Sequence, residues 1–386
     1  MLAKTHELAG APELAQENYQ KAYEAGKPAP QFGIAYSEFL LKRGQSTQAE
    51  VVASSVLQAE PGSIPALRVL AQSLLNQGDW AGAQLVADDI SKVKGQEQLA
   101  EEIRGAAYVA SKDLEASIAA FRRAYAAAPS KAQPMVSLVR TYLLAGRTDD
   151  AMDFLGAEIT ADPANVPALL LLGELQAANG DTPAASQTFE RAISQQPKNT
   201  AGYTNLANLQ MREGNTAAAE QVIKQGLLAA PGDFDLLMAQ ASIYEVSARF
   251  EEAIAAYEAL LKSYPGSDTA INNLASLLSE HRADQASLQR AYEMTQRFSR
   301  SDSPYFKDTL GWASYRLGKF DEGLPLIESA ARQMPEQPIF RYHLGMNYAA
   351  LNRKELARQE LEKALELSQE NNQQSTEYIR TALEAL

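Results

Sequence analysis

The chain has 386 residues, a net charge of −13 and an isoelectric point near 4.9. An acidic surface repels phosphate backbones, which argues against a nucleic-acid partner. Cysteine is absent, which excludes disulfides, thiol catalysis and cysteine-ligated metal. Apolar stretches such as Ala168 to Leu172 fall far short of the roughly 20 residues of a membrane-spanning helix.

Residues 1–29 read as an incomplete unit. The end of a helix is followed by Gly10, Ala15, Tyr19 and Ala22 in the register of the repeats that come later. The sequence is therefore expected to begin inside a repeat of a longer protein. The N-terminus has no apolar core of signal-peptide type.

Self-similarity governs the rest. Pro129, Pro163, Pro197, Pro231 and Pro265 stand 34 residues apart, and Pro61 lies two periods before Pro129. Gly44, Gly78, Gly146, Gly180 and Gly214 keep the same step. A third series is always small: Ala15, Ala49, Ala83, Ser117, Ala151, Ala185, Ala219, Ala253, then Gly323 and Ala357. Three series with one period and constant offsets mark a solenoid of stacked helix pairs.

Each unit parses into two helices. Ser63, Asn165, Asn199, Asp233 and Ser267 follow the prolines as N-caps. The first helix stops at a lattice glycine, which can adopt the left-handed conformation. The closing proline ends the second helix. The small residue belongs where the second helix crosses the first. Units are expected to start near residues 30, 64, 98, 132, 166, 200, 234, 268, 304 and 338, filling residues 30–369. In residues 281–303 the register is lost: His281-Arg282-Ala283-Asp284 replaces the glycine turn, and the next unit is displaced by two residues. Residues 370–386 are expected to form a capping helix with Tyr378, Ile379, Ala382, Leu383 and Leu386 on its apolar face.

These units resemble tetratricopeptide repeats. The unit at Val166 carries Leu172-Gly173, Gly180, Ala185, Phe189, Ala192 and Pro197, and the unit at Gln98 carries Gly105, Tyr108, Ser117, Phe121, Ala124 and Pro129. The resemblance covers essentially the whole chain and implies an all-α, right-handed superhelical solenoid of antiparallel helix pairs. The segments at 271–281, 308–330, 341–351 and 357–365 are similar to long bacterial tetratricopeptide proteins of envelope systems. Among these is the repeat lipoprotein associated with the PEP-CTERM exopolysaccharide and protein-sorting system.

The chain offers no catalytic or metal constellation. His6, His281 and His343 are far apart in sequence, and no zinc-protease, phosphate-loop, dinucleotide or nucleophile-elbow motif occurs. His343 reads as an ordinary solvent-lining side chain, and Trp80, just after a glycine turn, as a packing residue. No enzymatic activity, cofactor or metal is expected.

The resemblance implies that first helices line a concave face through their second, fifth, ninth, twelfth and thirteenth positions. The N-terminal units place Gln31, Ile34, Glu38, Leu41, Arg68, Gln72 and Leu75 there. The middle places Arg140, Leu143, Leu170, Glu174, Thr204, Asn208, Met211, Arg212, Met238 and Glu245, with Asn205, Asn272 and Asn273 on or beside that face. The C-terminal units place Tyr305, Asp308, Trp312, Tyr315, Arg316, Tyr342 and Met346. Tryptophan, tyrosine and arginine are common hot-spot residues, so this last group is expected to form an aromatic patch anchored by Trp312 and rimmed by Asp308 and Arg316. The alternative is that the rings fill the core. Thr204 stands where a chaperone-binding carboxylate clamp requires lysine.

The expected function is a non-enzymatic scaffold that binds protein or peptide in its groove, within a bacterial envelope complex for exopolysaccharide export or protein sorting. That places it in the periplasm or at the outer membrane. A cytoplasmic peptide-binding adaptor or co-chaperone and a polysaccharide-binding groove are the alternatives.

Overall fold

The computed structural model describes residues 2–26, 29–129, 131–370 and 376–386. Residues 371–375 of the expected capping segment lie outside that set. Among the described residues the only regular secondary structure is helical. The chain divides into two compact units, residues 1–188 and 189–386.

The first unit holds α1 (Leu2–Leu8), α2 (Pro12–Ala25), α3 (Pro30–Lys42), α4 (Ser46–Ala59), α5 (Ile64–Gln77), α6 (Trp80–Ser91), α7 (Glu97–Ala110), α8 (Leu114–Ala127), α9 (Ala132–Leu144), α10 (Thr148–Ala161) and α11 (Val166–Ala178). Helix α12 (Thr182–Gln195) spans the division. The second unit continues with α13 (Ala201–Arg212), α14 (Thr216–Ala229), α15 (Phe234–Val246), α16 (Phe250–Ser263), α17 (Asp268–His281) and α18 (Gln285–Thr295). It ends with α19 (Pro304–Arg316), α20 (Phe320–Gln333), α21 (Pro338–Ala350), α22 (Lys354–Glu370) and α23 (Glu377–Glu384).

Local chemistry explains the helix ends. Backbone N–H groups donate to the side chains of Asp79 (2.8 Å), Asn165 (3.1 Å), Asp233 (3.0 Å) and Ser267 (3.3 Å), satisfying first-turn donors. Ser63 makes no such bond, and Asn199 accepts instead from the N–H of Ala201, the first residue of α13, whose cap position is Thr200. Within a pair, the turn requires a left-handed residue. Gly44, Gly78, Gly146, Gly180, Gly214 and Gly318 supply it with φ between +71° and +83°. Lys112 (+66°), Ala248 (+55°) and Asn352 (+58°) hold the equivalent positions without glycine's freedom.

The small-residue series lies at the helix crossings. Ala15, Ala49, Ala83, Ser117, Ala151, Ala185, Ala219, Ala253 and Ala357 are all 0 % exposed. At the α19/α20 crossing the backbones themselves meet: a Cβ on Gly323 would lie 2.6 Å from the Gly311 carbonyl oxygen. Larger side chains fill the spaces between pairs. In the first unit Leu67, Val86, Ile90 and Ile103 form one such cluster, with Trp80 packed against it. In the second, Ile254, Tyr257, Leu260, Leu274 and Leu278 form another.

The register break near residue 281 has a physical form. Helix α17 ends on Arg282 in extended conformation (φ −117°, ψ 132°) in place of a left-handed turn. Helix α18 is short and passes into a 3₁₀ turn, Gln296–Arg300. The guanidinium of Arg316, reaching from α19, donates to the carbonyls of Ser279 and Arg282 and so caps the α17 terminus. At the C-terminus, Ile379 of α23 is buried against Leu361 and Ala364.

Two substitutions test the turn and crossing arguments in opposite directions. Ala248→Gly should raise stability by roughly 0.5–1 kcal/mol, since a left-handed alanine costs about 1–2 kcal/mol before the unfolded-state entropy of glycine is subtracted. Gly323→Ala should lower it by about 1–3 kcal/mol through overpacking. Urea unfolding midpoints decide both; a Gly323→Ala variant as stable as the parent would remove the crossing constraint.

Candidate functional site

In the first unit, the faces of α3, α5, α7 and α9 form two adjoining hollows. One, of about 540 Å³, is lined by Glu38, Leu41, Lys42, Pro65, Arg68, Val69 and Gln72. The other, of about 350 Å³, is lined by Arg68, Gln72, Leu75, Leu99, Glu102, Ile103, Gln133 and Ser137, among others. Arg68 and Gln72 belong to both, so the hollows run together along the groove. The structure thus gathers Glu38, Leu41, Arg68, Gln72 and Leu75, five of the groove positions read from the sequence.

The walls of this groove are amide-rich. Gln72 Nε2 donates to Asn76 Oδ1 at 2.9 Å, and Asn76 Nδ2 donates to Ser46 Oγ at 3.1 Å. Gln98 Nε2 donates to Glu102 Oε1 at 3.2 Å. Arg68 is exposed and pairs with no described carboxylate. Apolar floor, side-chain amides and one free guanidinium are what an extended peptide needs: its backbone pairs with amides while its side chains enter the apolar recesses. Arg140, further along on α9, is exposed as well.

In the second unit, Asn208 and Arg212 are exposed on α13, whereas Met211 is half-buried against the core around Ile223. Asn273 is committed inward, donating to Tyr257 Oη at 3.0 Å, and Asn272 donates to Asn273 Oδ1 at 3.3 Å.

The C-terminal aromatic group departs from expectation. Trp312 is 5 % exposed, with its ring stacked between Tyr315 (4.6 Å) and His343 (4.0 Å). It is a core ring and not an exposed anchor. Asp308, expected at the rim, is likewise 5 % exposed and accepts from His343 Nδ1 at 2.8 Å. His343, expected to line solvent, is buried. Arg316 is occupied on the α17 carbonyls described above. Tyr305 is exposed and meets Phe340 edge-on at 5.5 Å, and Tyr315, Tyr342 and Met346 are half-buried. What fills these positions is side chains: Tyr315 and His343 stack on Trp312 and His343 engages Asp308, whereas the same fifth and ninth positions of α5, Arg68 and Gln72, stay exposed.

Sequence reading passed over Glu280, whose Oε1 lies 3.4 Å from His343 Nε2. A signal for the cluster was present: Asp308 and His343 are one repeat plus one residue apart, which sets them on adjacent first helices. Burial alone would push the His343 imidazole down, but Asp308 and Glu280 outweigh it and hold it up at about 9. Burial drives the Asp308 carboxyl up, against the pull of His343. Among the described residues no group of three or more His, Cys, Asp or Glu side chains is arranged so that it could hold a metal ion.

A histidine whose folded pKa lies above its unfolded one stabilises the fold fully below about pH 6.5, and that contribution is lost as pH climbs through about 9. Unfolding free energy should therefore fall across this window in the parent, and the slope should flatten in His343→Gln; equal slopes would contradict the charged pair. Trp312→Ala should cost about 3–5 kcal/mol as a buried aromatic truncation. In a Trp80→Phe background, acrylamide should barely quench Trp312; free quenching would return it to the surface.

The tetratricopeptide repeat profile matches residues 68–132 and 309–372. A second profile, described as the cytochrome c-type biogenesis protein H TPR domain, matches residues 154–271. No curated protein matches the chain. Among solved structures, the APC/C hetero-tetramer Cut9–Hcn1 aligns at 12 % identity and TM-score 0.43, covering 95 % of this chain and 86 % of that one. Yeast Tom70 aligns at 13 % identity and TM-score 0.43, covering 99 % and 93 %. A tetratricopeptide repeat protein from Parabacteroides merdae aligns at 13 % identity and TM-score 0.43, covering 65 % and 99 %. With helix pairs and repeat profiles falling on the same segments, the chain is a tetratricopeptide-repeat protein, of a fold typical of non-catalytic protein-binding scaffolds.

Proposed function

We propose that the chain holds extended peptide segments of partner proteins in the groove of its first-helix faces, as a scaffold in a bacterial envelope complex for exopolysaccharide export or protein sorting. The observation that carries the peptide reading is the continuous run of hollows across α3, α5, α7 and α9, hinged on the unpaired Arg68 and on Gln72. The envelope setting, periplasmic or at the outer membrane, is supported by the resemblance of residues 271–281, 308–330, 341–351 and 357–365 to repeat proteins of envelope systems. A profile named for a cytochrome c-type biogenesis protein over residues 154–271 accords with a chain that attends to the assembly of other proteins.

A photo-crosslinking residue at Gln72, on the groove, and one at Leu85, exposed on α6, separate the groove from the rest of the surface. In cells of the source organism, Gln72 should crosslink to a discrete protein in the envelope fraction, and Leu85 should not. Arg68→Glu should reduce that crosslink at least tenfold with the melting temperature unchanged. Equal crosslinking at both positions would defeat the groove reading, and recovery of the chain wholly in the cytosolic fraction would defeat the envelope setting.

A further inference from the structure

The hollows of the first unit draw charged side chains from successive first helices, and their signs alternate. Glu38 comes from α3, Arg68 from α5 and Glu102 from α7. Glu38 and Arg68 line one hollow, and Arg68 and Glu102 line the other. Gln133 and Ser137 of α9 also line the second hollow, and Arg140 is exposed three residues after Ser137 on the same helical face. It extends the series by one more positive charge. Among the described residues none of these four side chains forms an ion pair. Glu102 accepts only from a neutral amide, Gln98 Nε2 at 3.2 Å. Lys42, the remaining charge in the hollows, is held by Glu7 of α1 at 3.0 Å.

An apolar row runs beside the charges. Leu41 and Leu75, one repeat apart, line the two hollows, and Leu143, two repeats beyond Leu75, is 40 % exposed. The spacing of the helices then sets what can lie along both rows. Helix α5 packs on α3 and on α7, and packed helices lie about 8–10 Å apart. A β-strand returns a side chain to one face every two residues, about 6.7 Å, and falls out of step with that interval. A polyproline II segment returns one every three residues, about 9 Å, and keeps step with it. One column of its side chains meets the charges, a second meets the leucines and the third faces solvent.

We propose that this groove reads a mixed-charge segment of a protein partner in polyproline II conformation. Basic, acidic, basic and acidic residues at every third position face Glu38, Arg68, Glu102 and Arg140 in turn. A single exposed ion pair contributes little in water. Selectivity comes from all four acting in one register, by repulsion as much as by attraction. A segment of one sign, or one with its like charges grouped, sets like against like at two of the four contacts. This inference rests on the scaffold reading and specifies the segment that its groove takes.

The test is fluorescence anisotropy with the full chain at low ionic strength, where exposed charges are least screened. The probe is fluorescein-labelled KLPELPKLPE. Its control, KLPKLPELPE, keeps the composition and net charge but groups the like charges. The alternating peptide should bind saturably and about tenfold more tightly than the control. Arg68→Glu, at an exposed position, should weaken the alternating peptide about tenfold with the melting temperature unchanged. The peptide KLPKLPKLPE, which sets lysine opposite position 68, should recover that loss. Glu38→Lys, also exposed, paired with ELPELPKLPE gives an independent second cycle. Equal binding of the alternating and grouped peptides overturns the proposal. So does a lack of saturable binding by the alternating peptide, or a loss in either variant that its matched peptide fails to recover. A crosslink from Gln72 to a discrete envelope protein alongside any of these results leaves the groove reading standing and removes only the alternating segment.

Discussion

The fold depends on how closely the two helices of a pair can approach. At each crossing the second helix presents a residue with almost no side chain, and these residues are without exposure along the series from Ala15 to Ala357. Close approach lets the larger side chains, such as Ile90 and Ile103 or Tyr257 and Leu274, turn outward from the pair and pack on the next one. Stability is thereby built from local interfaces, each pair supplying the surface on which its neighbour condenses. Exposed ion pairs such as Arg147 with Glu115 (3.0 Å) decorate these interfaces but contribute little in water.

In the first unit the faces of α3, α5, α7 and α9 open into hollows lined by Arg68, Gln72 and Glu102. Around α19 the corresponding face is filled by side chains. Loss of the left-handed turn at Arg282 leaves the end of α17 with free carbonyls, and Arg316 fills that need from α19. Beside this contact, His343 and Tyr315 pack over Asp308 and Trp312 and bury them. A charged cluster then sits in a place where the repeat pattern calls for an open groove. The burial of Asp308 is tolerable because His343 neutralises it, and burying a carboxylate without such a partner would be far more costly. The same cluster leaves Glu280 partly exposed beside His343.

Much of this was legible in the chain itself. The 34-residue step of prolines, glycines and small residues located helix pairs, turns and crossings, because each of those needs one residue type for a steric reason that operates within a few residues. It also located the unit-one groove positions Glu38, Leu41, Arg68, Gln72 and Leu75. Ser63 does stand at the cap position of α5 but makes no side-chain bond there, and at α13 that position falls to Thr200, one residue after Asn199.

Period alone could not decide the environment of residues at equivalent positions. A repeat pattern assigns the fifth and ninth places of every first helix to one face, and so it put Asp308 and Trp312 beside Asn208 and Glu102 in kind. Exposure depends on which side chains neighbouring helices bring against a position, and at Asp308 and Trp312 these are His343, from 35 residues away, and Tyr315. The sequence by itself determined the repeat, the pairing of helices and the small residues at their crossings, since these follow from contacts between near neighbours in the chain. Only the tertiary structure decided which groove positions stay open and which are sealed, and that Glu280, Asp308 and His343 share one charge balance, because those outcomes depend on side chains brought together from different repeats.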